Sequence, residues 1–353
     1  MKANSIIKGN ETIIERKLYD PKSPNASTGI LNGQSSNVLN WDDVRYPWAY
    51  PLYKQMLANF WTPFEINMSS DRKQYAELSS DEQESFNKII GLLAFLDSIQ
   101  TDYAGRVANY ITDSSLTALM TVLGFQEVVH NQSYSYVLSS LVDKSKQDEI
   151  FEYWKHDNVL RERNEFIIDG YDAFTKNPTP ETFLRSIVYD VVLEGLNFYS
   201  GFSFFYNLAR NQKMVSTSTM INYINRDEQL HVHLFTKIFD AVREEFSLDV
   251  REANEFVEKT FMEAADLEIK WGNYILGDRF PGISSTELDA YIKFMANKRV
   301  NQLGGNRPYP DHRKNPMPWI KAYESINDGK SDFFEQKSRQ YTKVSDDNGF
   351  DDL

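Results

Sequence analysis

From about residue 40 onward, apolar positions recur at three- and four-residue intervals, and this period continues through most of the chain. The pattern predicts one long helix beginning in "LSSDEQESFNKIIGLLAFLDSIQ", and others over about 114–141, 180–210 and 215–245. Shorter helical patterns cover about 146–170, 251–276 and 286–300. Ser79 with Glu82, or Ser80 with Gln83, has the spacing of a capping box. Pro180 falls just inside a helix start, where its missing N–H is harmless. The first forty residues differ: "YDPKSPNASTGILNGQSSN" is dense in turn formers and predicts extended, looped chain. From about Ser325 the period is lost, and "KSRQYTKVSDDNGFDDL" predicts a polar, flexible tail. Alternating strand patterns are scarce. The expectation is an all-α bundle of long helices over 41–324, preceded by an extended segment 1–40 and followed by a tail 325–353.

Within these apolar helices some residues conflict with a dry core. In "FQEVVHNQSYSY", Glu127, His130 and Tyr134 fall within about 60° of one another at 100° per residue, so they share a face. The Glu-x-x-His spacing recurs in "INRDEQLHVHLF", with Glu228 and His231. One such pair carries little weight, because 51 of the 353 residues are acidic. Two further acids sharpen the pattern. Asp97 lies in "IIGLLAFLDSIQ" and Glu194 in "VVLEGLNFYSGFSFF", each among apolar neighbours. A buried carboxylate needs a cationic partner, and four acids with two histidines on four helices suit two metal ions in a bundle core. His156, His233 and His312 lack ligand-like companions and read as packing or surface residues.

Composition narrows the chemistry. The 41% of hydrophobic residues and 14% of aromatics suffice for a large core. Cysteine is absent, so any metal rests on oxygen and imidazole ligands, which suit iron or manganese, or zinc. The net charge of −13, without a basic stripe, argues against nucleic-acid partners and anionic membrane surfaces. No apolar run reaches the roughly 18 residues of a membrane span, and the first residues lack a signal-peptide core. A cytoplasmic protein is expected.

The segments "LDSIQ", "EVVHNQSY", "LEGLNFYSGF" and "RDEQLH" together resemble the small, radical-generating subunit of class I ribonucleotide reductase, over roughly 40–300. The resemblance implies a ferritin-like bundle. It implies six ligands, Asp97, Glu127, His130, Glu194, Glu228 and His231, for two metal ions per chain, with Fe first and Mn/Mn or Mn/Fe as alternatives. Tyr134 falls on the family's radical-bearing tyrosine, and Phe198, Phe202, Ile221 and Ile224 on the apolar wall around it. A relay through His130 and Asp227 to Trp61 is implied, continuing through Tyr341 in the tail. The expected partners are a large catalytic subunit, bound through the tail with Phe350 and Leu353 as anchors, and a second copy of the chain. Some members of the family also need an activating flavoprotein. The rival functions are another ferritin-like dimetal oxidase with its own small substrate, and a non-enzymatic metal-binding helical protein. Neither explains why Tyr134, Trp61 and Tyr341 occur together.

Overall fold

The structure, a computed structural model, describes Asn10–Glu324. Twelve α-helices are present among the described residues: α1 (Ala49–Ala58), α2 (Ser69–Glu77), α3 (Ser80–Tyr110), α4 (Ser114–Leu141), α5 (Lys144–Glu152), α6 (Asn158–Lys176), α7 (Pro180–Val192), α8 (Tyr199–Arg210), α9 (Val215–Glu245), α10 (Val250–Ile275), α11 (Ser285–Gln302) and α12 (Ile320–Glu324). A π-helical segment, Leu193–Asn197, joins α7 to α8. No β-strand occurs among the described residues, only an isolated bridge between Leu31 and Ile111. No described helix is long and apolar enough to cross a membrane.

The bundle is built from α3, α4, the α7–π–α8 run and α9. A three-residue connection forces α3 and α4 to run antiparallel. Asn131 donates to the Ala94 carbonyl and to Ser98 Oγ, both at 2.8 Å, while nearer the connection Gly124 faces Ala104. The second pair is also antiparallel: His231 lies opposite Glu194, and Asn225 Nδ2 donates to the Tyr206 hydroxyl at 3.1 Å. Helices α6, α10 and α11 pack outside α7 and the π segment.

The helix starts follow local chemistry. Ser79 and Glu82 form a reciprocal capping box on α3. Asp113 accepts from Ser115 and Leu116 N–H on α4, and Thr179 caps α7 ahead of Pro180. Helix α9 receives its cap from another element: buried Asp71 on α2 accepts from Ser216 N–H at 3.1 Å and Thr217 N–H at 2.7 Å.

Two expected helices are divided. The helix expected over 180–210 is interrupted by the π segment; residues 190–208 are buried on every face, so no one-sided apolar stripe marks the change of phase. The pattern over 146–170 breaks after α5, where Asp157 accepts from Leu160 N–H at 2.9 Å and starts α6 anew. From Asn10 to α1 the described chain forms no regular helix, and Ile13, Ile30 and Leu31 are buried members of the same core. Glu245 at the end of α9 secures it, accepting from Ile30 N–H at 2.8 Å and the Tyr46 hydroxyl at 2.5 Å. Tyr341, Phe350 and Leu353 lie outside the described residues.

Gly91 on α3 abuts the backbone carbonyl of Ile150 on α5, leaving no room for a Cβ. Gly91→Ala is expected to destabilise the protein by about 1–3 kcal/mol through overpacking. Thermal unfolding followed by circular dichroism checks this; an unchanged midpoint contradicts it.

Candidate dimetal centre

The six sequence-selected ligand candidates meet inside the bundle. Asp97 comes from α3, Glu127 and His130 from α4, Glu194 from the π segment, and Glu228 and His231 from α9; all six are 0% exposed. Their donor atoms form two groups, each with all atoms within 4.8 Å of one another. One is Asp97, Glu127 and His130; the other is Glu127, Glu194, Glu228 and His231. Glu127 belongs to both. Glu228 also reaches across, with Oε1 3.1 Å from His130 Nδ1 and Oε2 3.1 Å from His231 Nδ1. Two overlapping groups with a shared carboxylate form a donor set for two adjacent ions.

Unspent acceptors test that fit. Both oxygens of Asp97 and of Glu127, Glu194 Oε2, Glu228 Oε1 and His130 Nδ1 are buried with no partner in hydrogen-bond geometry. Buried acceptors are nearly always satisfied, so this many at one point calls for a cation. The set is oxygen-rich with two imidazoles, which matches iron or manganese.

Both imidazoles present Nδ1 inward and are fixed from behind. His130 Nε2 lies 3.2 Å from Asp227 Oδ2, and His231 Nε2 lies 3.0 Å from Gln126 Oε1. Each outer contact favours a proton on Nε2, which leaves Nδ1 available as a ligand. Gln126 was not singled out from sequence, although it adjoins Glu127.

The cluster holds its protons tightly. Burial raises the Asp97 carboxyl well above its ordinary value, helped by the charges of Glu127 and Glu228. Burial likewise pushes Glu194 up to about 8 against the counter-effect of His231. Burial alone would lower both imidazoles, but Glu228, Asp227 and Glu127 outweigh it at His130, as do Glu194, Glu127 and Glu228 at His231. Burial acts upward on Glu127 too, yet contacts with both histidines win and hold it at about 2. Without metal, protons therefore take the place of cations between these side chains.

Tyr134 is buried on the same face of α4. Its hydroxyl has no partner in hydrogen-bond geometry, and burial followed by the Asp97 charge pushes its pKa well up, so it stays a neutral phenol. Phe198, Phe202, Ile221 and Ile224 are all buried, with the two phenylalanine rings 5.6 Å apart.

A hydrogen-bonded chain leads outward from His130. Trp61 Nε1 donates to Asp227 Oδ2 at 2.8 Å, the same oxygen that faces His130 Nε2, and the Trp61 and His130 rings are 6.2 Å apart. Trp61 is buried in the loop after α1, bordering a small cavity that it shares with Phe60 and Phe125. Those two rings are stacked and exposed, so the chain ends close to the surface.

Behind Glu194 lies a network that the sequence pattern did not reveal. Gln100 Nε2 donates to Glu194 Oε1 at 2.5 Å and also to Asp190 Oδ1, while the Tyr171 hydroxyl donates to Gln100 Oε1 at 2.9 Å. Asp190, one turn before Glu194 in "IVYDVVLEG", carries the same signal of an acid in an apolar run. Of the remaining histidines, His156 and His233 are exposed and His312 is half-buried, away from the cluster.

Comparison with known proteins agrees with this geometry. The profile of the family "Ribonucleotide reductase, small chain" matches residues 38–316. The chain is 72% identical over 344 residues to the ribonucleoside-diphosphate reductase subunit beta of Halalkalibacterium halodurans, covering 97% of this chain and all of that one. The ribonucleotide reductase R2 subunit from Clostridium botulinum superposes with a TM-score of 0.87 at 37% identity, over 90% of this chain and 100% of that one. The dimanganese(II) form of NrdF from Streptococcus sanguinis superposes with a TM-score of 0.72 at 25% identity, over 82% of this chain and 99% of that one.

Metal binding must displace protons held by His130, His231, Asp97 and Glu194. Affinity for Mn(II) is therefore expected to weaken as pH falls, by about tenfold per unit for each proton displaced, with the Glu194 carboxyl contributing below about 8. Calorimetric titrations in buffers of different ionisation enthalpy check this. Affinity independent of pH, with no proton release, contradicts it.

Proposed function

The chain belongs to the ribonucleotide reductase small-chain family, and we propose that its buried cluster makes it the radical-generating beta subunit of a class I ribonucleoside-diphosphate reductase. The observation that carries this reading is the juxtaposition of two overlapping, fully buried ligand groups with the buried Tyr134 phenol, on which the Asp97 charge acts. The protein works with a large catalytic subunit, which reduces ribonucleotides to deoxyribonucleotides. This chain contains no cysteine and so cannot supply the thiol chemistry of that reduction itself.

Asp97, Glu127 and His130 would hold one ion, and Glu194, Glu228 and His231 the other, with Glu127 common to both. When bound, two iron or manganese ions supply a one-electron oxidant within reach of a buried phenol. The residues do the rest. Tyr134 keeps its proton in the resting state, so loss of an electron must be coupled to loss of that proton. The acid that acts on it most strongly is Asp97. The dry wall of Phe198, Phe202, Ile221 and Ile224 keeps water and reductants from the resulting phenoxyl.

Asp227 has two jobs in this scheme. It fixes the tautomer of His130, and through Trp61 Nε1 it joins the cluster to the surface near Phe60 and Phe125. We assign Trp61 and Asp227 to the exit route of the radical equivalent. Tyr341, outside the described residues, would receive it at the subunit interface, with Phe350 and Leu353 as tail anchors. A homodimer in the cytoplasm is the expected setting, and some members of the family also need an activating flavoprotein. A self-contained dimetal oxidase would need neither the Trp61–Asp227–His130 chain nor a partner.

Tyr134→Phe is expected to keep fold and metal content while abolishing the tyrosyl signal in electron paramagnetic resonance; a persisting tyrosyl signal overturns the assignment. Trp61→Phe should retain metals and radical but lower turnover with the large subunit about 10- to 100-fold, the scale on which loss of a residue supporting a metal site is felt. Full activity in that variant removes Trp61 from the route.

A further inference from the structure

Glu194 is the one ligand candidate not carried on regular α-helix, and its π segment is gripped by two buried arginines from outside the bundle. Arg299 on α11 donates through Nε to the Gly195 carbonyl at 3.0 Å, through Nη2 to the Tyr199 hydroxyl at 2.7 Å, and through Nη1 to Gln302 Oε1 at 2.9 Å. Arg163 on α6 donates through Nη2 to the Asn197 carbonyl, and its Nε meets Glu268 Oε2 on α10 at 2.5 Å. Each arginine is 1% exposed. Among the described residues Arg299 has no carboxylate partner.

A buried guanidinium without a carboxylate costs free energy, so its remaining contacts must offset that cost. What Arg299 satisfies is a carbonyl of the non-α turn. Widening a helix to i→i+5 spacing turns carbonyls off the helix axis, and an orphaned buried carbonyl is itself costly. Gly195 fits the same logic. A Cβ there would meet Arg299 Nε at 2.8 Å and Cδ at 3.0 Å, so only glycine admits the guanidinium. Three elements that contribute no ligand, α6, α10 and α11, are thus committed to the geometry of one five-residue turn.

We propose that Arg299 and Arg163 are positioning residues that lock the π turn and so set the strength of only one of the two metal positions, the one formed by Glu194, Glu228 and His231 with Glu127. This inference rests on the dimetal reading above. Without Arg299 the Gly195 carbonyl loses its donor, and the turn relaxes toward α-helical hydrogen bonding. That relaxation carries Glu194 away from His231 Nδ1, 3.6 Å from its Oε1 in the locked form. Asp97 and His130, on α3 and α4, are untouched by the change.

The test is anaerobic titration of the full chain with Mn(II), following free Mn(II) by electron paramagnetic resonance. Wild type should bind two ions, and failure to do so would count against the dimetal reading itself. Arg299→Met should retain one ion at near wild-type strength and bind the second about 10- to 100-fold more weakly. Arg299→Lys, which keeps a donor, should recover much of the difference. Adding R299M to D97N should weaken the remaining ion by that same factor, whereas adding it to H231A should change little. If R299M does not fold, Gly195→Ala makes the same test by displacing the guanidinium. Two ions bound with wild-type strength in the folded variants, or equal weakening at both positions, would overturn the proposal.

Discussion

Four carboxylates and two imidazoles packed together out of reach of water set the terms for the whole molecule. An ionised carboxylate loses several kcal/mol on burial unless a cation faces it. At this site the acids outnumber the cationic side chains that could meet them, and six of their eight oxygens have no hydrogen-bond donor. Two divalent ions would neutralise four carboxylates. In their absence, shared protons do part of that work, which explains why the acids Asp97 and Glu194 and the bases His130 and His231 all shift toward their protonated forms. The long capped helices, the trans cap from Asp71 and the surrounding apolar core hold this unfavourable cluster in place.

The two halves of the cluster are supported differently. The Asp97–His130 half lies on regular helices and connects outward, through Asp227 to Trp61 and the exposed rings of Phe60 and Phe125. The Glu194–His231 half connects inward and sideways: to Gln126, to the Gln100–Asp190–Tyr171 network, and to a π turn clamped by arginines. With the proposed exit route through Trp61, the outward-connected half would release the oxidising equivalent while the braced half stays fixed.

Much of this was legible in the sequence. The Glu-x-x-His repeats on α4 and α9, and acids stranded in apolar runs, identified every member of the cluster, because helical periodicity places such residues on a buried face. Tyr134 followed from the same face of α4. The π break at Leu193–Asn197 was not legible: residues 190–208 are buried on every face, so there is no polar–apolar stripe in which a change of phase could show. The arginines were equally hidden. Arg163 in "VLRERNEF" and Arg299 in "NKRVNQ" stand among polar neighbours, and only tertiary packing reveals that they are buried. Asp190 could have been found by the rule that found Glu194. The start of α6 depended on an Asp157 cap competing with a continuous helical pattern.

The central claim is that the cluster holds two ions around a common Glu127. Anomalous X-ray diffraction from crystals of the Mn(II)-loaded protein tests it most directly. The account predicts two peaks per chain, one among Asp97, Glu127 and His130 and the other among Glu127, Glu194, Glu228 and His231. A single peak, or none within the cluster under saturating metal, would contradict it.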